Sequence, residues 1–87
     1  MEKYNGWNSY QTWICKIWID NDFNLYQHYK TKASQIKDIN QLKTILENDF
    51  TQQAYNLTGS SGFYCDLLQN SLNQIDFYEI AESLINE

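Results

Sequence analysis

At 87 residues the chain has room for one domain and one core, and a net charge of −5 with six Lys and no Arg argues against direct nucleic-acid binding. The charge is unevenly spread: residues 1–43 hold every Lys (Lys3, Lys16, Lys30, Lys32, Lys37, Lys43) beside four acids, and residues 44–87 hold seven acids and no base. Fourteen aromatics supply the large side chains a small core needs, and no apolar run approaches a membrane span.

The opening stretch YNGWNSYQTW sets a ring at every third position, at Tyr4, Trp7, Tyr10 and Trp13. Asn5-Gly6 favours a turn that folds Tyr4 and Trp7 back over the next segment, with Trp7 as a lid. Tyr10, Trp13, Ile14, Ile17 and Trp18 then recur at i, i+3, i+4, i+7 and i+8. That spacing predicts a helix starting after Asn8 or Ser9, with Asn8 and Gln11 as a capping box. On this face Trp13 and Trp18 are buried and Ile19 falls outside. A strand over residues 11–19 competes, because TWICKIWI is rich in β-formers.

Asn21-Asp22 reads as a stop and a new cap. The second helix, DFNLYQHYKTKA, aligns Tyr26, Tyr29 and Ala33. Asp38 with Gln41 starts a third, INQLKTILENDFTQQAYNL, in which Ile39, Leu42, Ile45, Leu46 and Phe50 form the clearest apolar stripe. TGSSG, residues 58–62, breaks the chain. FYCDLLQNSL gives a shorter helix with Tyr64, Leu67, Leu68 and Leu72 as its apolar positions. In the last helix Asp76 caps, Glu79 closes the box and Ile75 staples onto Ile80, while Ala81, Leu84 and Ile85 continue the buried face. The expected fold is all-α, one compact domain over residues 1–87 with four to five short helices.

Little in the chain offers chemistry. His28 is the single histidine, and neither Cys15 nor Cys65 lies at metal-ligand spacing, so no metal or cofactor is expected. Both cysteines read as small core residues, reduced in a cytoplasmic setting, since MEKYNGWNSY has no basic-then-apolar leader pattern. The carboxylate pairs Asp20/Asp22, Glu47/Asp49 and Glu79/Glu82 look like caps and solvated faces rather than an acid–base couple. Gly6, Gly59 and Gly62 make no phosphate-binding loop, because TGSSG lacks the lysine and follows no buried strand. The chain therefore reads as non-enzymatic.

What remains is contact. An acidic second half fits a basic partner, with Glu47, Asp49, Asp66, Glu79 and Glu82 as the charges and Tyr55, Tyr64 and Tyr78 as anchors. Solubility alone explains any one of these carboxylates, and an AT-rich genome explains the eighteen Asn and Gln. A self-associating structural or accessory module, or a small regulator of another enzyme, is the alternative. Exposed Trp7 or Tyr4 would then mark a homodimer face.

The segments NGWNSYQTW and WIDNDFNLY resemble the hallmark of a family of small acidic proteins carried mainly by bacteriophages, plasmids and other mobile elements. That hallmark is Asn-Gly-Trp-x-x-Tyr-Glu-Thr-Trp, then Trp-Ile-x-Asn-Asp and a nearby Leu-Tyr. It maps onto Asn5, Gly6, Trp7, Tyr10, Thr12 and Trp13, then onto Trp18, Ile19, Asn21, Asp22, Leu25 and Tyr26. Gln11 stands in place of the usual Glu, and Phe23-Asn24 in place of Glu-Gly. IDFYEIAESLI is loosely similar to the acidic closing helix of such proteins, while residues 30–70 lie outside the resemblance. The family carries no common activity, but the resemblance implies a setting in the host cytoplasm. It also implies a role in binding and blocking host nucleic-acid-handling machinery, of anti-CRISPR or anti-restriction type. The motif residues would then be scaffold, and the partner-binding residues would lie in the middle and the acidic half.

Overall fold

The computed structural model describes residues 4–87, so Lys3 lies outside the described residues. Five helices follow one another: α1 (Tyr10–Asn21), α2 (Phe23–Ile36), α3 (Ile39–Thr58), α4 (Phe63–Asn73) and α5 (Phe77–Asn86). Among the described residues there is no strand, and residues 11–19 are helical. An extended pairing joins Tyr4 and Trp7 across Asn5 and Gly6. Their backbones exchange two hydrogen bonds of 2.8 Å each. Asn5 and Gly6 both have positive φ, 49° and 92°, as a tight primed turn requires, which is why Asn-Gly occupies it.

Local chemistry sets most helix ends. Ser9, Asp22, Asp38 and Asp76 each accept a hydrogen bond from the backbone N–H three residues on, satisfying a donor that the helix leaves unpaired. Ser9, not Asn8, is the cap of α1, and Thr12 rather than Gln11 is its partner. The third helix closes at Gly59, φ 78°, whose N–H donates to the Tyr55 carbonyl at 2.7 Å. The fourth starts at Gly62 with no side-chain cap.

The core is a layer in which α5 packs most extensively on α3 and also against α2 and α1. Leu42 and Leu46 of α3 meet Ile80, Ala81 and Leu84 of α5, with Tyr29 and Ala33 arriving from α2. Phe50 links two rings across this layer, 6.3 Å from Tyr29 and 5.8 Å from Phe77. Each fully buried leucine or isoleucine contributes about 1.5–3 kcal/mol through burial. The stripe expected along α3 is thus the face it buries, and the faces of α2 and α5 also lie where their spacing puts them.

Two helices present a different face from the one their apolar spacing suggests. In α1 the buried residues are Thr12, Cys15, Lys16 and Ile19, whereas Trp18 is 69% exposed and Tyr10 is also exposed. Ile19 is fully buried, and Trp13 is only half-buried. The cause is polar. Thr12 is tied to the start of α5 and Lys16 to its end, and satisfying both turns the helix until Ile19 faces the core. In α4 the buried residue is Cys65 and Leu72 is half-buried, leaving Tyr64, Leu67 and Leu68 exposed. A small side chain there lets α4 approach α3 closely.

Candidate functional site

The segment Asn8–Thr12 joins the two ends of the fold. Thr12 is fully buried, and its Oγ1 accepts from the Asp76 N–H at 2.8 Å. Ser9 Oγ donates to the Gln74 carbonyl at 2.6 Å, so in the 2.7 Å Ser9–Thr12 contact the threonine hydroxyl is the donor. Asn8 completes the join, its Nδ2 donating to Asp76 Oδ2 at 2.7 Å and its N–H to Glu79 Oε1 at 2.9 Å. The start of α1 and the start of α5 therefore satisfy one another. Glu79 does not close a box on its own cap; it closes one on Asn8, because Thr12 already holds the Asp76 N–H. Ahead of this knot, Tyr10 sits edge-on to both Tyr4 (5.5 Å) and Trp13 (5.8 Å), so three of the four rings at every third position form a chain of contacts across the turn. Trp7, half-buried, packs against the core as the expected lid.

A second polar cluster fastens the other end of α5. Lys16 Nζ, almost wholly buried, pairs with Asp20 and lies 3.2 Å from Glu87 Oε2. Tyr26 Oη donates to Glu87 Oε1 at 2.8 Å, and Lys30 Nζ caps the last turn through the carbonyls of Leu84 (2.8 Å) and Glu87 (3.1 Å). Burial works to raise the Glu87 carboxyl, but the Tyr26 and Lys16 hydrogen bonds and the Lys16 and Lys30 charges outweigh it and hold the group below its ordinary range.

The eight expected partner-binding residues separate in space. Asp49 accepts from Tyr29 Oη at 2.9 Å, which helps push the already buried tyrosine well above its usual titration range. Glu79 is held by Asn8. Tyr78 and Glu82 are exposed on α5. Glu47 lines a polar cleft of about 210 Å³ between α3 and α4, with Thr51, Gln69 and Asn73 on its walls. Tyr55 continues the α3 row of Glu47 and Thr51 at i+8, and Asp66 precedes Gln69 and Asn73 on α4 at i−3 and i−7, so both flank this cleft by helical register. Tyr64 is 72% exposed on the other side of α4. Glu47 has an exposed companion in Lys43 at 3.3 Å, a pair of small energetic consequence. Gln69 Nε2 is buried without a hydrogen-bond partner, which costs about 1–3 kcal/mol.

A second concavity escaped sequence reasoning. Between α1 and α4 lies an open apolar groove of about 290 Å³, walled by Tyr10, Ile14 and Trp18 on one side and Leu68 and Leu72 on the other, over Phe50. The signal for it was the excess of large apolar residues around TWICKIWI and FYCDLL, more than one face of either helix can bury. Cys15 touches this groove, and burial pushes its thiol up to about 12, away from nucleophilic use. Cys65 is also buried, and His28 is exposed, edge-on to Tyr29. Among the described residues no group of His, Cys, Asp and Glu is arranged to hold a metal ion, and no helix is long and apolar enough to cross a membrane.

Five helices, the joined starts of α1 and α5, a polar cleft and an apolar groove define a small all-α domain. Its whole length, residues 1–87, matches a family of unknown function, DUF7249, and the chain belongs to that family. No curated protein and no solved structure matches it.

Proposed function

We propose that this is a non-enzymatic binding protein, encoded by a phage or other mobile element. It would act in the host cytoplasm by occupying a basic surface of a nucleic-acid-handling defence complex, of anti-CRISPR or anti-restriction type. The observation that carries this reading is the cleft between α3 and α4, lined by Glu47, Thr51 and Gln69, the last with its buried Nε2 lacking a hydrogen-bond partner. An amide can present either its oxygen or its nitrogen. With the oxygen turned inward, Glu47, Gln69 and the Thr51 hydroxyl offer acceptors to the forked donors of an arginine from a partner. Exposed Asp66 and Tyr55 flank the same cleft by register, and the exposed Lys43–Glu47 pair, 3.3 Å apart, would be exchanged for the partner's arginine. Complementarity of this kind speeds encounter and selects basic partners. Seven acids in residues 44–87 are sparse beside duplex DNA, so the proposed mode is a local plug rather than mimicry of a whole duplex.

The test is affinity capture of the tagged chain from nuclease-treated lysate of a strain with active CRISPR and restriction systems, read by mass spectrometry. One nucleic-acid-handling complex should be enriched, and the Glu47→Lys/Asp66→Lys double variant should lose it while keeping its helical spectrum. Asp49 and Glu79 are left intact because both hold the fold. Retention of the complex by the double variant, or recovery of bait alone, counts against the reading.

A further inference from the structure

We propose that the groove between α1 and α4 seats a second copy of this chain, giving a two-fold dimer in which the outer ridge of each α4 lies along its partner's groove. The proposal concerns a surface separate from the acidic cleft and does not depend on it.

Charge comes first. No charged residue lines the groove. The one charge on α4, Asp66, falls in register with Gln69 and Asn73 on the opposite flank, and the two on α1, Lys16 and Asp20, are paired with each other away from it. A basic or acidic partner would find nothing here to pair with. For a chain of net charge −5, in contrast, this is a place where two copies meet without like charges opposed.

Area and shape point the same way. Trp18 is 69% exposed, Phe63 70%, Tyr64 72% and Leu67 50%, with Leu68 and Tyr10 also open to solvent. Taking about 150–250 Å² for each aromatic side chain, these residues expose roughly 700 Å². That exceeds the ~300–600 Å² patch common on a monomer and approaches the ~800 Å² each partner gives to a standard interface. The surface is also self-complementary, as a two-fold contact demands. Phe63 and Leu67 form an i, i+4 ridge along α4, and the groove beside it is the hollow such a ridge fills. Nothing in α4 beyond Asp66 is charged, so two antiparallel copies of it pack without repulsion across the axis.

Sedimentation equilibrium of the full chain measures this directly. One chain weighs 10.4 kDa, and the wild type should show twice that mass at micromolar concentration. The Leu67→Glu and Trp18→Ser variants should each weaken the dimer on the order of 100-fold, with helical content and melting midpoint at high dilution unchanged. A wild type that stays monomeric at several hundred micromolar overturns the proposal. So does a dimer that neither substitution weakens, which would place the interface elsewhere. A monomer whose Leu67→Glu variant loses the captured complex assigns the groove to that partner instead, also against the proposal. Loss of capture on the Glu47→Lys/Asp66→Lys change with the dimer intact leaves this inference standing, so the two surfaces can fail independently.

Discussion

Replacing Thr12 by Val removes one oxygen from the join between the first and last helices and adds no bulk to speak of. The part-buried Asp76 N–H, now 2.8 Å from Thr12 Oγ1, is left without an acceptor, and Ser9 loses a donor. Loss of the hydrogen bond is worth about 1 kcal/mol and the stranded amide a further 1–3 kcal/mol. Relief from water entry at the edge of the site trims the sum, so the expected cost is about 2–3 kcal/mol. A chain of 87 residues has a total stability of roughly 4–13 kcal/mol, so this is a substantial fraction. The melting midpoint should fall by roughly 10–20 °C. Urea titration followed by circular dichroism at fixed chain concentration gives the free energy. Thr12→Ser is the control, because it keeps the oxygen and loses only a buried methyl, about 1 kcal/mol. If the Val variant proves as stable as the Ser variant, the hydroxyl is not what ties the two helix starts together, and the polar cause given for the orientation of α1 fails with it.

The orientation of α1 can be tested from its two neighbouring apolar positions: Ile19→Ala should cost about 2–5 kcal/mol, whereas Trp18→Ser should change the stability of the dissociated chain by no more than about 0.5 kcal/mol. The reverse order in denaturant melts would restore the face that simple periodicity suggests. Glu87 has a folded-state carboxyl held below its ordinary range, so its contribution is fully present above the unfolded value and is lost as pH falls through the folded one. The stability gap between wild type and Glu87→Gln should therefore be flat near neutrality and close in acid. Cys15 and Tyr29 are raised, so the alkaline limb runs the other way: their contribution holds below the unfolded values and is lost as pH climbs toward the folded ones. Tyr29→Phe should flatten part of that limb in a pH series of urea melts.

How far the fold could be read from the chain differs by helix, for a physical reason. In α3 one stripe of apolar residues faces polar ones, and Leu42, Leu46 and Phe50 could only point one way. The caps at Asp22, Asp38 and Asp76 are local chemistry and need no tertiary knowledge. In α1 apolar residues surround the helix, so periodicity cannot choose a face. The choice falls to Thr12 and Lys16, whose partners Asp76 and Glu87 lie far along the chain. In α4 the bulky residues suggested the core, but the small Cys65 is what fits against α3. The groove was hidden by the same ambiguity. The acidic residues were visible as a group, yet charge alone could not tell Asp49 and Glu79, spent on Tyr29 and Asn8, from Asp66, which faces water.

The knot of Asn8, Ser9 and Thr12 with residues 74–79 has a consequence for synthesis. Thr12 and the Asp76 amide are separated by 64 positions, and Asn8 and Glu79 by 71. At roughly 5–20 residues per second, the ribosome delivers the second half of the knot about 3–14 s after the first. Until then α3 lacks the helix that covers Leu42 and Leu46, and the opening helix has no acceptor-hungry amide to turn it inward. Folding therefore waits until the α5 segment has emerged. A message cut short before Phe77 is expected to yield a sticky, protease-sensitive fragment, because α5 is the helix that covers the buried face of α3.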